Sequence, residues 1–182
     1  MLSTPFRNIS ERIEKKRTLS IGFLFFITSF VMLLLNKPLI NSIAPNGILS
    51  FELANTLEHS QEITASRPPF DKIFAGIGLD FDFLYTLIYP LFIAIIIHKI
   101  NTHLWSTHLF YKIGELLIWS LLVAAIVDVV ENVCSIQTLT RNTKQYWVRI
   151  GYYAAVTKFL LILLSSLYIV LNFILLLIKK RS

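Results

Sequence analysis

The sequence predicts an all-α fold: an integral-membrane four-helix bundle with a structured outer loop between spans 1 and 2. Three observations predict it. Hydrophobic residues make up 55% of the 182 residues and charged residues only 15%, against roughly 25% charged in an ordinary soluble domain. Mean hydropathy is +0.65. So few charges cannot cover a soluble domain of this apolar mass, and much of the apolar surface must face lipid. The apolar residues also fall into long segments without sustained period-2 alternation, which favours helices of about 20 residues over barrel strands. Finally, the net charge of +6 comes largely from bases at the two ends of the chain. That placement reads as membrane orientation rather than nucleic-acid binding, so the lipid bilayer is the expected partner and nucleic acid is not.

Residues 1–18 are polar and basic, with Arg7, Arg12, Lys15, Lys16 and Arg17. Phe6, Ile9 and Ile13 fall at near-helical spacing among them, the pattern of a short interfacial helix. The run Leu19–Leu35 carries no charge. It is long for a signal-peptide core, and no small-x-small cleavage site follows, so it reads as a retained first span over about 19–43. Further spans are expected over about 73–97, 113–133 and 147–178, closing a membrane domain of 19–178, and Lys179-Lys180-Arg181 opens a basic tail over 179–182. Bases precede the first span and follow the last, so both termini are expected in the cytoplasm, which four spans satisfy. Tyr146, Trp147, Tyr152 and Tyr153 form an aromatic belt at the outer start of the fourth span. The outer segment 36–72 is long for a plain connection. Its stretch Gly47–Leu57 is apolar enough to lie on the membrane or dip into the bundle.

Several residues argue against common chemistries. The single cysteine, Cys134, excludes an internal disulfide, a CxxC pair and a multi-cysteine zinc site, and reads as a small buried side chain. His98, His103 and His108 fall in the expected inner loop at a spacing unsuited to a helical metal site, so they read as solvated and no metal is expected. His59 between Glu58 and Glu62 is only a faint metal pattern. Gly76 and Gly78 read as close packing or a bend rather than a dinucleotide loop. Pro90 is expected to kink the second span. Tyr85 and Tyr89, one turn apart, read as ordinary packing with the interior as the alternative. No P-loop, nucleophile elbow or zinc-protease motif is present. No catalytic residue and no cofactor is assigned.

The informative residues are the charges inside the spans. A charge at mid-bilayer costs from about 2.5 to more than 10 kcal/mol, so it persists only facing protein, a partner or water. Asp80 lies near the start of the second span. Asp128, Glu131 and Asn132 share one face of the third, in its outer half. Glu52, from the outer segment, can reach the same level, and Lys158 lies near the middle of the fourth. Distant segments thus place Glu52, Asp80, Asp128, Glu131, Asn132 and Lys158 together as candidate ligand- or ion-binding residues. Asp82, two positions from Asp80, points elsewhere on a helix and ranks below it, as a residue facing outer water or capping the helix. The bland alternative is that Asp128 or Glu131 pairs with Lys158 or Arg149, with Asn132 as a hydrogen-bonding tie between helices. Against it, the acids outnumber the bases. Clustered carboxylates cannot all ionise in a low dielectric, and an acid that keeps its proton suits proton transfer, cation binding or general-acid chemistry.

Phe51-Glu52-Leu53-Ala54, Leu79-Asp80-Phe81, Asp128-Val129-Val130-Glu131-Asn132 and Lys158-Phe159 resemble, in order and spacing, the FELA, LD-aromatic, DxxEN and KF motifs of a group of uncharacterised small four-span bacterial membrane proteins. The resemblance spans about 19–178, with DxxEN as its most specific part. It implies a bacterial inner membrane and the same six site residues, but no reaction. Asp82, Arg149 and the histidines belong to none of these motifs.

Three functions follow as expectations. The first is binding or moving a small lipid-like ligand, cation or proton, with Lys158 as counter-charge and Glu52 as a lid. The second is an intramembrane enzyme acting on a lipid or isoprenoid by carboxylate acid–base chemistry, an analogy of architecture alone. The third is a non-catalytic assembly protein. A deep apolar cavity ending at the carboxylates favours a lipid substrate, a polar path to both faces favours a transporter, and a dry, fully paired network favours assembly.

Overall fold

Asn36 decides where the first helix stops. Helix α1 (Glu11–Asn36) runs into a short 3-10 turn (Lys37–Leu39) that carries Pro38. It therefore ends short of the expected 43, because Pro38 has no N–H to continue an α-helical ladder. The Asn36 side chain then turns to the outer segment: its Oδ1 accepts from the Ile48 N–H at 2.7 Å and its Nδ2 donates to the Asn46 carbonyl at 3.3 Å. Between these contacts Gly47 has φ +65°, and a Cβ there would strike the Asn36 amide. Only glycine meets both demands at low cost.

The computed structural model describes residues 11–105, 109–140 and 144–181. Phe6, Ile9, Arg7, His108 and Arg141 lie outside them, and so does most of the expected interfacial helix.

After Gly47 come α2 (Ile48–Glu52) and α3 (Leu57–Ala65), the latter capped by the Thr56 hydroxyl accepting from the His59 N–H at 3.2 Å. The apolar side chains here have a destination: Ala44, Phe51, Ala54 and Ile63 bury against one another, with Ile48 and Leu139 beside them. The outer segment thus dips into the top of the bundle instead of lying on the membrane. Two further ties hold it. Gln145 accepts from the Leu57 N–H at 2.8 Å and donates to the Asn55 carbonyl at 3.1 Å. The buried Arg67 donates to the Gly47 carbonyl at 3.1 Å and lies over the Phe51 ring. Burial lowers the Arg67 pKa from its ordinary value, and nearby Asp71 opposes that.

Three long helices follow: α4 (Pro69–Leu104), α5 (Leu109–Leu139) and α6 (Gln145–Arg181). Each overruns its expected span at both ends. Pro69 sits in the first turn of α4, where its missing N–H costs nothing. With α1 these are four helices long and apolar enough to cross a membrane, and no strand occurs among the described residues. The protein is an all-α integral membrane protein. Its spans pack α1 on α4, α4 on α5 and α6, and α5 on α6, so α4 is the most enclosed span and α1 the least. Because α4 continues to Leu104, His98 and His103 are helical rather than in a loop, and His98 is buried. Gly76 and Gly78 have open space where a Cβ would stand, so close packing does not require them. His59 meets Glu62 at 3.5 Å on the exposed face of α3.

Candidate functional site

Three of the buried carboxylates meet at one ammonium group. Lys158 Nζ, on α6, lies 2.8 Å from Asp128 Oδ1, 2.5 Å from Glu131 Oε2 and 3.8 Å from Glu52 Oε2. The Glu131 contact is an ion pair outside hydrogen-bond angles, and Glu131 Oε1 has no protein partner although it is fully buried. The ammonium also stands 4.8 Å from the centre of the Phe159 ring. Asp128 and Glu131 reach the same cation because three residues separate them on one helix face.

A second carboxylate layer comes from α4. The carboxylate is that of Asp82, not Asp80. Asn132 Nδ2 donates to Asp82 Oδ2 at 2.8 Å, and the Thr86 hydroxyl donates to Asp128 Oδ2 at 2.7 Å. These bonds register α4 against α5 residue by residue. Asp80 is exposed on the opposite side of α4, in a stripe with Ile73, Ile77, Leu84 and Leu87. The reason is rotational: two residues turn a helix by about 200°. Of the six residues singled out in the sequence, the fold therefore brings together Glu52, Asp128, Glu131, Asn132 and Lys158 and leaves Asp80 outside. A usable signal for Asp82 was present. Gly78, Asp82 and Thr86 recur every four residues, a small-or-polar stripe, whereas the same spacing onward from Asp80 meets the apolar Leu84 and Ile88. Arg149 is exposed at the outer end of α6 and pairs with none of these acids.

Beside the charges lies a cavity of about 520 Å³. Glu52, Asp82, Asp128 and Lys158 form its polar end. Its other walls are apolar: Phe25 and Met32 from α1, Phe92, Ile93 and Ile96 from α4, Ile162 and Ile169 from α6. Tyr85 and Tyr89 also line it, so they face the interior. Tyr85 accepts from the Ser29 hydroxyl at 3.2 Å, and Phe25 stacks on Phe92 at 4.5 Å between centroids. No protein group meets hydrogen-bond geometry at the buried Tyr89 hydroxyl. Helices α1 and α6 both line the cavity but share no extended packing with each other. One turn below the acids, Pro90 deprives the Thr86 carbonyl of its usual donor inside α4.

Glu52 stands where α2 meets this chamber. It lines the large cavity and also two gaps of about 10 Å³ each, one toward Ser60, Ser135 and Trp147, the other toward Asn36 and Gly78. Each gap is about the size of one water molecule.

The chain matches no protein-family model, and neither a curated protein nor a solved structure matches it.

Proposed function

We propose that this protein binds a small amphiphilic, lipid-like molecule within the membrane, with its apolar part in the cavity and its polar end at Asp82, Asp128 and Lys158. The observation that carries this reading is the apolar cavity of about 520 Å³ that ends at charged side chains. Its size falls in the range of small-molecule sites, about 300–1,000 Å³, and its mostly apolar walls with a few polar groups match their usual make-up. A bare cation is less well served, because the Lys158 ammonium already occupies the point where three carboxylates meet. The ligand reaches the site laterally, between α1 and α6, and Glu52 on α2 closes the outer side as a lid. We place the protein in a bacterial inner membrane with both termini cytoplasmic. The basic residues flanking the first and last spans support that orientation.

Acid–base turnover of the same molecule is the second reading, favoured by a carboxylate, Asp82, that borders the cavity with no cation paired to it among the described residues. Native mass spectrometry of the full chain released from detergent tests the main reading. A bound small molecule of defined mass is expected with the wild type and not with Ile162→Trp, which fills the apolar wall. Equal retention in both forms, or none in either, would overturn it. Conversion of the bound molecule by wild type but not by Asp82→Asn would add the enzymatic reading.

A further inference from the structure

We infer that the polar end of the ligand is a protonated amine, so that the cavity takes a lipophilic ammonium with the Asp82 carboxylate as its counter-ion. The inference rests on the amphiphile reading above and narrows it to a class of headgroup.

The charge balance of the site points this way. Within this cluster four buried carboxylates, from Glu52, Asp82, Asp128 and Glu131, surround a single base, Lys158. That base is committed: three of the four stand within 3.8 Å of its nitrogen. Asp82 is the remainder. It is buried, it lines the cavity, and its hydrogen bond comes from the neutral Asn132 at 2.8 Å. A buried carboxylate without a cation is costly, and an ammonium ligand would supply the missing charge. A carboxylate or phosphate headgroup would instead add negative charge to an existing excess.

A second, independent feature agrees. Tyr89 is 3% exposed, lines the same cavity, and its hydroxyl has no hydrogen-bond partner. The phenol oxygen can accept from an ammonium N–H, which fills its vacancy. The walls around it are aromatic, with Phe25, Tyr85, Phe92 and Phe159. Ring faces attract cations, and the attraction grows when water is excluded. The Lys158 ammonium over the Phe159 ring already uses that attraction inside this site.

The test uses the full chain in nanodiscs of zwitterionic lipid and three probes with the same tail: dodecylamine, 1-dodecanol and dodecanoate. Binding is measured against wild type and against Ile162→Trp, which controls for partition into the bilayer. A charge-assisted hydrogen bond is worth about 1.5–3 kcal/mol, so dodecylamine is expected to bind at least about tenfold more tightly than 1-dodecanol, with dodecanoate weakest. All three are expected to lose the specific component in Ile162→Trp. Asp82→Asn is expected to weaken the amine about tenfold or more and the alcohol far less, bringing the two close together. Tyr89→Phe, a milder change, is expected to weaken the amine about three- to tenfold. If alcohol or carboxylate matches or exceeds the amine in wild type, and the signal still vanishes in Ile162→Trp, the headgroup assignment is overturned and the cavity reading survives. If all three probes bind Ile162→Trp as they bind wild type, the cavity reading falls and this inference with it. The ranking in wild type decides the matter even where a variant fails to fold.

Discussion

Two polar networks are buried in this bundle, and they differ in kind. The one joining the end of α4 to the start of α5 and the C-terminal half of α6 is neutral and closed. Tyr168 donates to Asn101 Oδ1 at 2.6 Å, Asn101 donates to the Tyr111 carbonyl at 3.0 Å, and Asn172 donates to the Tyr168 carbonyl at 2.8 Å. Trp105 donates to Asn172 Oδ1. Gly114 stands where a Cβ would run into the Asn101 side chain. Each of these side chains reaches a partner, so the network acts as a staple joining α4, α5 and α6. The network around Lys158 is charged and unequal. It keeps buried oxygens without partners on Glu131, Asn132 and Tyr89, and it adjoins a large cavity. Hydrocarbon penalises an unmet polar group severely, so a complete network is sufficient for stability. An incomplete one beside a cavity is the feature on which the proposal of a bound molecule rests.

Four substitutions sharpen that contrast. Lys158→Ala should be the most damaging, since it leaves Asp128, Glu131 and Glu52 without their shared cation. Breaking a buried pair costs about 3–5 kcal/mol, and thermal unfolding in detergent should show a large fall in Tm or failure to accumulate. If Tm stays within experimental error, the ion cluster does not hold the bundle together. Next, Gly114→Ala should cost about 1–3 kcal/mol by displacing Asn101, again read from Tm, with amphiphile binding by the folded fraction unaltered. A loss of binding there would tie the two networks together. Tyr168→Phe removes one hydroxyl from the closed network and should cost about 1 kcal/mol, with binding likewise preserved. Smallest of all, Asp80→Asn should shift stability by less than about 0.5 kcal/mol and leave probe binding intact. An effect of Asp80→Asn as large as that of Asp82→Asn would show that the outward face of α4 is functional after all.

Much of the site was legible because the membrane makes charges conspicuous. Asp128, Glu131, Asn132 and Lys158 stand out in apolar surroundings, and their spacing puts the first three on one face of α5. Glu52 was legible only through its place in the apolar stretch Gly47–Leu57. What tied it to the others was tertiary: Asn36, Arg67 and Gln145 anchor the outer segment so that α2 delivers its last residue to Lys158. Asp82 was ranked below Asp80 because depth along a span does not fix which way the helix is rotated about its axis. Tyr85 and Tyr89 line the cavity, which the sequence offered only as the alternative to ordinary packing, since an aromatic pair one turn apart reads the same in a packed core. The histidines were assigned to a loop because hydropathy fades before the helix does. His98 is held inside α4, which continues to Leu104.

The amino-acid order alone determined that four apolar helices cross a membrane and that their acidic residues cannot stand alone, because both follow from the cost of moving polar groups into hydrocarbon, a property of each residue and its near neighbours. Tertiary structure alone decided which aspartate of α4 turns inward, that three acids converge on Lys158 while Asp82 does not, and that α1 stands off from α6. Helix rotation, register and the space left between packed cylinders depend on every element at once, so no local stretch of sequence encodes them.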